Sequence, residues 1–279
     1  MKDQSTGDDT HAGAAARFPR GLAQPERGYR FSLDSLLLAR FALPPAGRSG
    51  LPVHGLDLGT GCGVVALALL LERPLLTMTG VERQPELHAC AVENRSLFGF
   101  EGRFEVVLGD VANVANVAAF ARAPGVAQES YDFAVANPPY RRRGSGRTCP
   151  DPVREGARFE DEDGLEPFTL AAARLLKRGA PLALVHLPER LPEVLAACAS
   201  AGLEPKRLRF VHSRADKPAR MLLLEARKGG GPGLAVEPPL VLYAGTGPET
   251  RLSPQALAFC PHLRCNARQG GTAHARQDP

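Results

Sequence analysis

The stretch "VHGLDLGTGCGVVALALLLERPLLTMTGVE", residues 53 to 82, decides the architecture. A short apolar run carrying Asp57 enters a turn built on Gly59, Gly61 and Gly63. The run "VVALALLLER" that follows is too long for one strand and reads as a buried helix, and "LTMTGVE" reads as a second strand ending in Glu82. Strand, glycine turn, helix and strand make a βαβ unit, whose two strands run parallel with a right-handed crossover.

Outward from that unit the alternation continues. "PELHACAVENRSLFG" is a helix, "RFEVVLGD" a strand, "VANVAAFARA" (114–123) a helix and "YDFAVANPP" a strand. "GLEPFTLAAARLLKRG" is a helix, "APLALVHL" a strand and "ERLPEVLAACASAG" a helix. "PKRLRFVHS" and "ARMLLLEARK", joined by "RADKP", read as an antiparallel strand pair. The pattern predicts an α/β fold with a mixed, mostly parallel sheet, helices on both faces and a terminal antiparallel hairpin. Upstream, "SLDSLLLARFAL" reads as a helix with Ser and Asp caps, stopped by Pro44-Pro45. Residues 1–22 are polar and rich in small side chains, which predicts a disordered tail. Residues 23–228 hold the domain, and 229–279, rich in Gly and Pro, are expected to be a loosely attached, mostly irregular extension with one strand, "LVLYAG".

Composition bounds the function. Apolar residues make up 44% and charged ones 23%, enough for an ordinary core. No apolar run is long enough to span a membrane, and the N-terminus lacks a signal-peptide core, so a cytoplasmic protein without membrane contact is expected. Cysteines are scattered, as reduced thiols are. "CPHLRC" brings Cys260, His262 and Cys265 together without a second cluster to complete a tetrahedral site, so no metal is expected. The net charge of +4 is uninformative, but its distribution is not. Arg141, Arg142, Arg143, Arg147, Arg154 and Arg158 crowd one segment, and Lys206, Arg207, Arg209, Arg214, Lys217, Arg220, Arg227 and Lys228 another. Such runs are either solvated faces or phosphate contacts.

In an open α/β sheet the ligand sits at the carboxyl ends of the strands. The glycine turn lets backbone N–H groups approach a ligand, and Glu82 stands at the spacing where an acidic side chain meets a ribose. Asp110 ends the third strand. Gly61, Gly63 and Ala66 also satisfy the loose dinucleotide fingerprint, which leaves a dehydrogenase open at this point. No Lys-Ser/Thr pair follows the glycines, which disfavours ATP hydrolysis. In the plainer reading, Glu82 and Asp110 are loop carboxylates that cap the helices following them.

Taken together, Asp57-x-Gly59-x-Gly61-x-Gly63, Glu82, Asp110 and Asn137-Pro138-Pro139-Tyr140 resemble the motifs of class I S-adenosylmethionine-dependent methyltransferases. The resemblance implies a Rossmann-like fold with a seven-stranded sheet and S-adenosyl-L-methionine as cofactor. Carried over by position, Asp57, Gly59, Thr60, Gly61 and Gly63 would hold the methionine portion. Glu82, with Arg83, would take the ribose hydroxyls, and Asp110, with Val111, would lie beside the adenine. "QPERGYRFSLDSLLLARF" (24–41) and the terminal hairpin resemble the bacterial enzymes that methylate adenine N6 beside the anticodon of a valine tRNA. There the first segment leads into the cofactor pocket, so Arg30, Phe31 and Asp34 are candidates.

Methyl transfer from a sulfonium is an in-line displacement, so the protein must aim a nucleophile. An exocyclic amine is a poor nucleophile because its lone pair is delocalised. Acceptors on its two N–H groups favour the pyramidal geometry and stabilise charge growing on nitrogen. Asn137 Oδ1 offers one acceptor and the carbonyl of Pro138 another, while Tyr140 can stack on a flat substrate. With Pro139, the run Arg141, Arg142 and Arg143 would flank the pocket and meet RNA phosphates. The resemblance to the valine-tRNA enzymes implies tRNA as the partner, and the arginines fit it. A protein glutamine amide and another RNA base are the alternatives, since the same tetrapeptide serves planar nitrogen acceptors in the wider family. A release-factor enzyme resembles a longer build with a helical domain before the cofactor motif. A DNA adenine enzyme would need a target-recognition region, and an inactive binding module fits poorly with intact motifs.

Overall fold

A computed structural model of the chain describes residues 5–25, 31–43, 52–115, 129–139, 141–142, 159–160 and 164–266. Chain order runs α1 (Ser5–Arg17), α2 (Leu33–Ala42), β1 (Val53–Leu58), α3 (Val64–Glu72), β2 (Leu76–Glu82), α4 (Pro85–Leu97), β3 (Phe104–Leu108) and β4 (Phe133–Ala136). It continues with α5 (Glu166–Leu175), β5 (Pro181–His186), α6 (Leu191–Ser200), β6 (Leu203–His212), β7 (Ala219–Lys228), α7 (Pro254–Phe259) and α8 (Leu263–Asn266). The spatial order is β6-β7-β5-β4-β1-β2-β3, with β7 antiparallel to both its neighbours and the rest parallel. The two-residue strands Ala235–Val236 and Leu240–Val241 extend the β6 edge. Tyr243–Ala244 and Arg251–Leu252 form a separate antiparallel pair.

The central strands are buried on both faces, as a sheet between two helix layers must be. Phe133 and Val135 join one core with α2, α3 and Ala14 and Phe18 of the N-terminal segment. Ala134 and Ala136 join the other with α5 and α6. Side chains of α3 are buried all round from Val64 to Leu70, because α2 covers the face that the sheet does not. Its C-terminal carbonyls are satisfied from outside the helix. The Arg103 guanidinium donates to Leu70 O at 3.0 Å and Arg73 O at 2.5 Å, and lies 5.0 Å from the Phe100 ring centre.

Two expectations change. Within the tail expected over residues 1–22, Ser5–Arg17 is helical, and Phe18, 1% exposed, packs edge-on against Phe98 and His262. Its burial supplies the driving force that composition did not reveal. The extension after residue 229 is firmly packed over its described residues, 229–266, since Leu240, Leu242, Ala256, Cys260 and Leu263 all enter the core. Of the helix expected over 114–123 only Val114 and Ala115 are described, at the end of a 3-10 turn, Val111–Ala115; residues 116–128 lie outside the described residues.

Register positions the site. Leu58 pairs with Val81 on one side and with Ala136 on the other, and Ala136 pairs with Leu184. The chain therefore leaves β1, β2, β4 and β5 at one level. Strand order reverses between β1 and β4, so the glycine turn and Asn137 flank the crevice where such sheets take ligands.

Candidate cofactor and acceptor site

At the end of β1, Asp57 is buried, 1% exposed, and accepts from Thr60 Oγ1 at 2.7 Å. Burial pushes its carboxyl up to about 7, more than the Thr60 hydrogen bond pulls it down. The turn itself is pinned by backbone bonds, with Gly59 N and Thr60 N both donating to Val81 O at 2.9 Å. Gly61 N donates instead to a side chain, Glu82 Oε2, at 2.9 Å, and Gln84 N donates to Glu82 Oε1 at 2.8 Å. Gly61 has φ +59° and open space where a Cβ would point. A side chain there would be strained and would intrude on the crevice, so the backbone stays bare where a ligand approaches. Glu82 is also buried, which raises its carboxyl, while the backbone N–H donors around it work the other way.

Asp110 Oδ1 accepts from Ala112 N at 2.9 Å, and Arg83 approaches Asp110 Oδ2 at 3.8 Å. The capping reading of Glu82 and Asp110 thus holds in part: each carboxylate anchors the turn that follows it. Val111 is buried behind Asp110. Phe31 and Asp34 lie half-buried at the start of α2.

Asn137 follows β4 directly, with Pro138 buried and Pro139 half-buried behind it. Its Nδ2 donates to Ser35 Oγ of α2 at 2.9 Å. Between the start of α2, the end of β5 and the β6–β7 hairpin lies a cavity of about 1000 Å³ whose wall includes Asp34, His186, Arg220 and Tyr243. His186 is buried there and pushed down to about 4, chiefly by burial, so its ring is neutral at physiological pH. Leu187 N donates to His186 Nδ1 at 2.9 Å, which leaves the ring proton on Nε2.

Arg30, Tyr140 and Arg143 lie outside the described residues. Arg141 and Arg142 form a two-residue strand parallel to Phe159–Glu160, and their side chains lie outside the description. Two residues that the sequence reading missed are Ser35 and Asn94. Asn94 is fully buried; its Oδ1 accepts from Ala23 N at 2.7 Å, and its Nδ2 donates to Ala23 O at 3.0 Å and Cys62 O at 2.9 Å. It ties the N-terminal segment to the glycine turn. A lone amide in an amphipathic helix gives no sequence signal for that.

The second basic cluster is largely internal. Arg207 pairs with Glu225 at 3.2 Å and Glu237 at 3.0 Å and sits 4.3 Å over the Phe41 ring. Arg209 pairs with Glu237 at 2.6 Å over Phe259, Arg227 with Glu225, and Lys228 with Glu129. Arg214 donates to Gly245 O and Thr250 Oγ1. The residues of "CPHLRC" face different partners: Cys260 Sγ meets Leu36 O, Cys265 Sγ meets Ala16 O, and His262 meets Glu72. Among the described residues no group of three or more His, Cys, Asp or Glu is placed to hold a metal ion, and no helix is long and apolar enough to cross a membrane.

Comparison with known proteins adds to this geometry. The sequence profile of the Methyltransferase small domain family matches residues 35–164. The tRNA1(Val) (adenine(37)-N6)-methyltransferase of Porphyromonas gingivalis W83 is 31% identical over 71% of this chain and 74% of its own. The protein of that name from Tolumonas auensis is 33% identical over 77% of this chain and 86% of its own. A release factor glutamine methyltransferase of Deinococcus radiodurans is 30% identical over 63% of this chain and 58% of its own. Among solved structures, a predicted O-methyltransferase of Agrobacterium tumefaciens shares the fold with a TM-score of 0.64 at 24% identity, over 82% of this chain and 96% of that one.

Proposed function

Because the chain belongs to the tRNA1(Val) (adenine(37)-N6)-methyltransferase family, a family of S-adenosylmethionine-dependent enzymes, we propose that it methylates the N6 amine of an adenine beside the anticodon of a tRNA. The observation that carries the reading is the shared level of the glycine turn, Glu82 and Asn137 across the strand-order reversal. The donor set suits the cofactor. A bare turn at Gly61 admits close approach, Asp57 offers a carboxylate to an ammonium group, and Glu82 keeps lone pairs for hydroxyl donors.

Bound S-adenosylmethionine would supply an electrophilic methyl group on a sulfonium. The chain's own residues then aim the acceptor. Asn137 Oδ1 and the Pro138 carbonyl accept from the two N–H groups of the amine, directing its lone pair at the methyl carbon and stabilising positive charge as it grows. The amine proton leaves to solvent after transfer, so no general base is required. Tyr140 stacks the base, and Pro139 with Arg141, Arg142 and Arg143 borders it. Arg30, Phe31, Asp34, Thr60, Arg83, Asp110 and Val111 complete the cofactor side. The activity belongs in the cytoplasm, where a tRNA substrate would be met.

The test offers labelled S-adenosylmethionine with total tRNA, ribosomal RNA and release factor, and identifies the modified unit. Label in N6-methyladenine of tRNA is expected. Label only in glutamine of the release factor would transfer the chain to the other activity seen among its relatives. Asn137→Ala should lower transfer by about 100-fold or more while sparing cofactor affinity.

A further inference from the structure

The buried face of α2 is apolar except at one position: Ser35, 2% exposed, sits among Leu36, Leu37, Leu38, Ala39 and Phe41. A buried hydroxyl is costly unless it is hydrogen-bonded, and alanine would pack there without that cost. The hydroxyl accepts from the Asn137 amide, 102 residues away in sequence, at 2.9 Å.

We infer that Ser35 is a positioning residue for methyl transfer, acting through Asn137; the inference rests on the proposed function. A primary amide has two nearly isosteric orientations, and only one presents oxygen to an amine. Turned over, Asn137 would aim N–H groups at N–H groups and oppose binding of the acceptor. A helical serine can give its proton to the carbonyl three or four residues earlier, which leaves an oxygen lone pair for a donor. By accepting from Nδ2, Ser35 Oγ holds the amide so that Oδ1 occupies the opposite arm. α2 is a suitable mount, since it packs on both β4 and β5, the strands that border the acceptor. Ser35 touches neither substrate nor cofactor in this reading; it fixes the group that does.

The test compares wild type, Ser35→Ala, Ser35→Thr and Asn137→Ala as full-length proteins. An unmodified valine tRNA transcript is the substrate, with S-adenosylmethionine binding measured separately by calorimetry. Ser35→Ala is expected to lower kcat by about 10- to 100-fold, with the tRNA KM and cofactor affinity within about threefold of wild type. Ser35→Thr restores the hydroxyl and should recover most of the rate. A wild-type kcat in Ser35→Ala overturns the inference. So does a loss that appears in KM or cofactor affinity, which marks a merely structural role, or a threonine variant that binds normally yet stays as slow as alanine. If Asn137→Ala is slow while Ser35→Ala is not, only this inference fails. If Asn137→Ala turns over normally, the proposed role of Asn137 fails and takes this inference with it.

Discussion

Gly61 N donates to Glu82 Oε2 at 2.9 Å, so a side chain at the end of β2 holds the turn after β1. The same carboxylate takes Gln84 N on its other oxygen. It shapes the turn and still has lone pairs for a ribose. Glu82→Ala removes both contributions, and affinity for S-adenosylmethionine should fall by about tenfold or more, read by calorimetry. Glu82→Gln keeps one oxygen acceptor and should fall in between. An alanine variant with wild-type affinity would separate Glu82 from the cofactor.

Asp57 makes cofactor binding depend on pH. Its carboxyl titrates near 7 in the folded chain because burial disfavours the charged form. The folded state therefore holds a proton that the unfolded chain has released above about pH 4. Stability of the free protein falls as pH rises from about 4 toward 7, and levels off beyond. An ammonium group beside Asp57 favours the carboxylate, so affinity for S-adenosylmethionine should rise about tenfold between pH 5.5 and 7, with proton release on binding. Asp57→Asn should bind weakly with a flat profile. A flat profile in the wild type would place the ammonium group elsewhere.

What the sequence disclosed, and what it hid, divides by range. The βαβ unit was legible because glycine turn, helix and strand lie consecutively, and so was the place of Asn137 at the end of β4, because the apolar run leads straight into it and its prolines. Phe18 was not, because its partners Phe98 and His262 are brought to it only by the fold. The same limit hid Ser35: a serine in an apolar helix carries no sign that an amide will meet it across the core. The hairpin arginines were misread in part, since cation and carboxylate partners on adjoining strands cannot be paired without the register.

Asn94 supplies a stability prediction. Asn94→Ala leaves Cys62 O without its amide partner in a buried setting, and Ala23 N and Ala23 O without theirs in a part-buried one. A buried polar group so stranded costs about 1 to 3 kcal/mol and a part-buried one less, so denaturant unfolding should show a loss of about 2 kcal/mol. Because Cys62 belongs to the glycine turn, cofactor affinity should weaken as well. A neutral substitution would mean that water replaces the amide at all three groups.

The two basic clusters should behave oppositely. Arg207 is bonded to Glu225, Glu237 and Phe41 O, and stacks on the Phe41 ring. Arg207→Ala takes one of two arginine partners from Glu225 and from Glu237, which keep Arg227 and Arg209, and uncovers the Phe41 ring, so it should lower the melting temperature while leaving the salt dependence of tRNA binding unchanged. Arg141→Ala with Arg142→Ala should do the reverse. Each lost phosphate contact flattens the plot of log affinity against log salt by about 0.7 to 0.9, so the pair should reduce the slope by about 1.5 with little change in stability. Titrations at several salt concentrations, run beside thermal melts, read both effects from the same samples. An unchanged slope in the double variant would return Arg141 and Arg142 to the role of a solvated face. A reduced slope for Arg207→Ala would mean that its ion pairs open to meet the RNA.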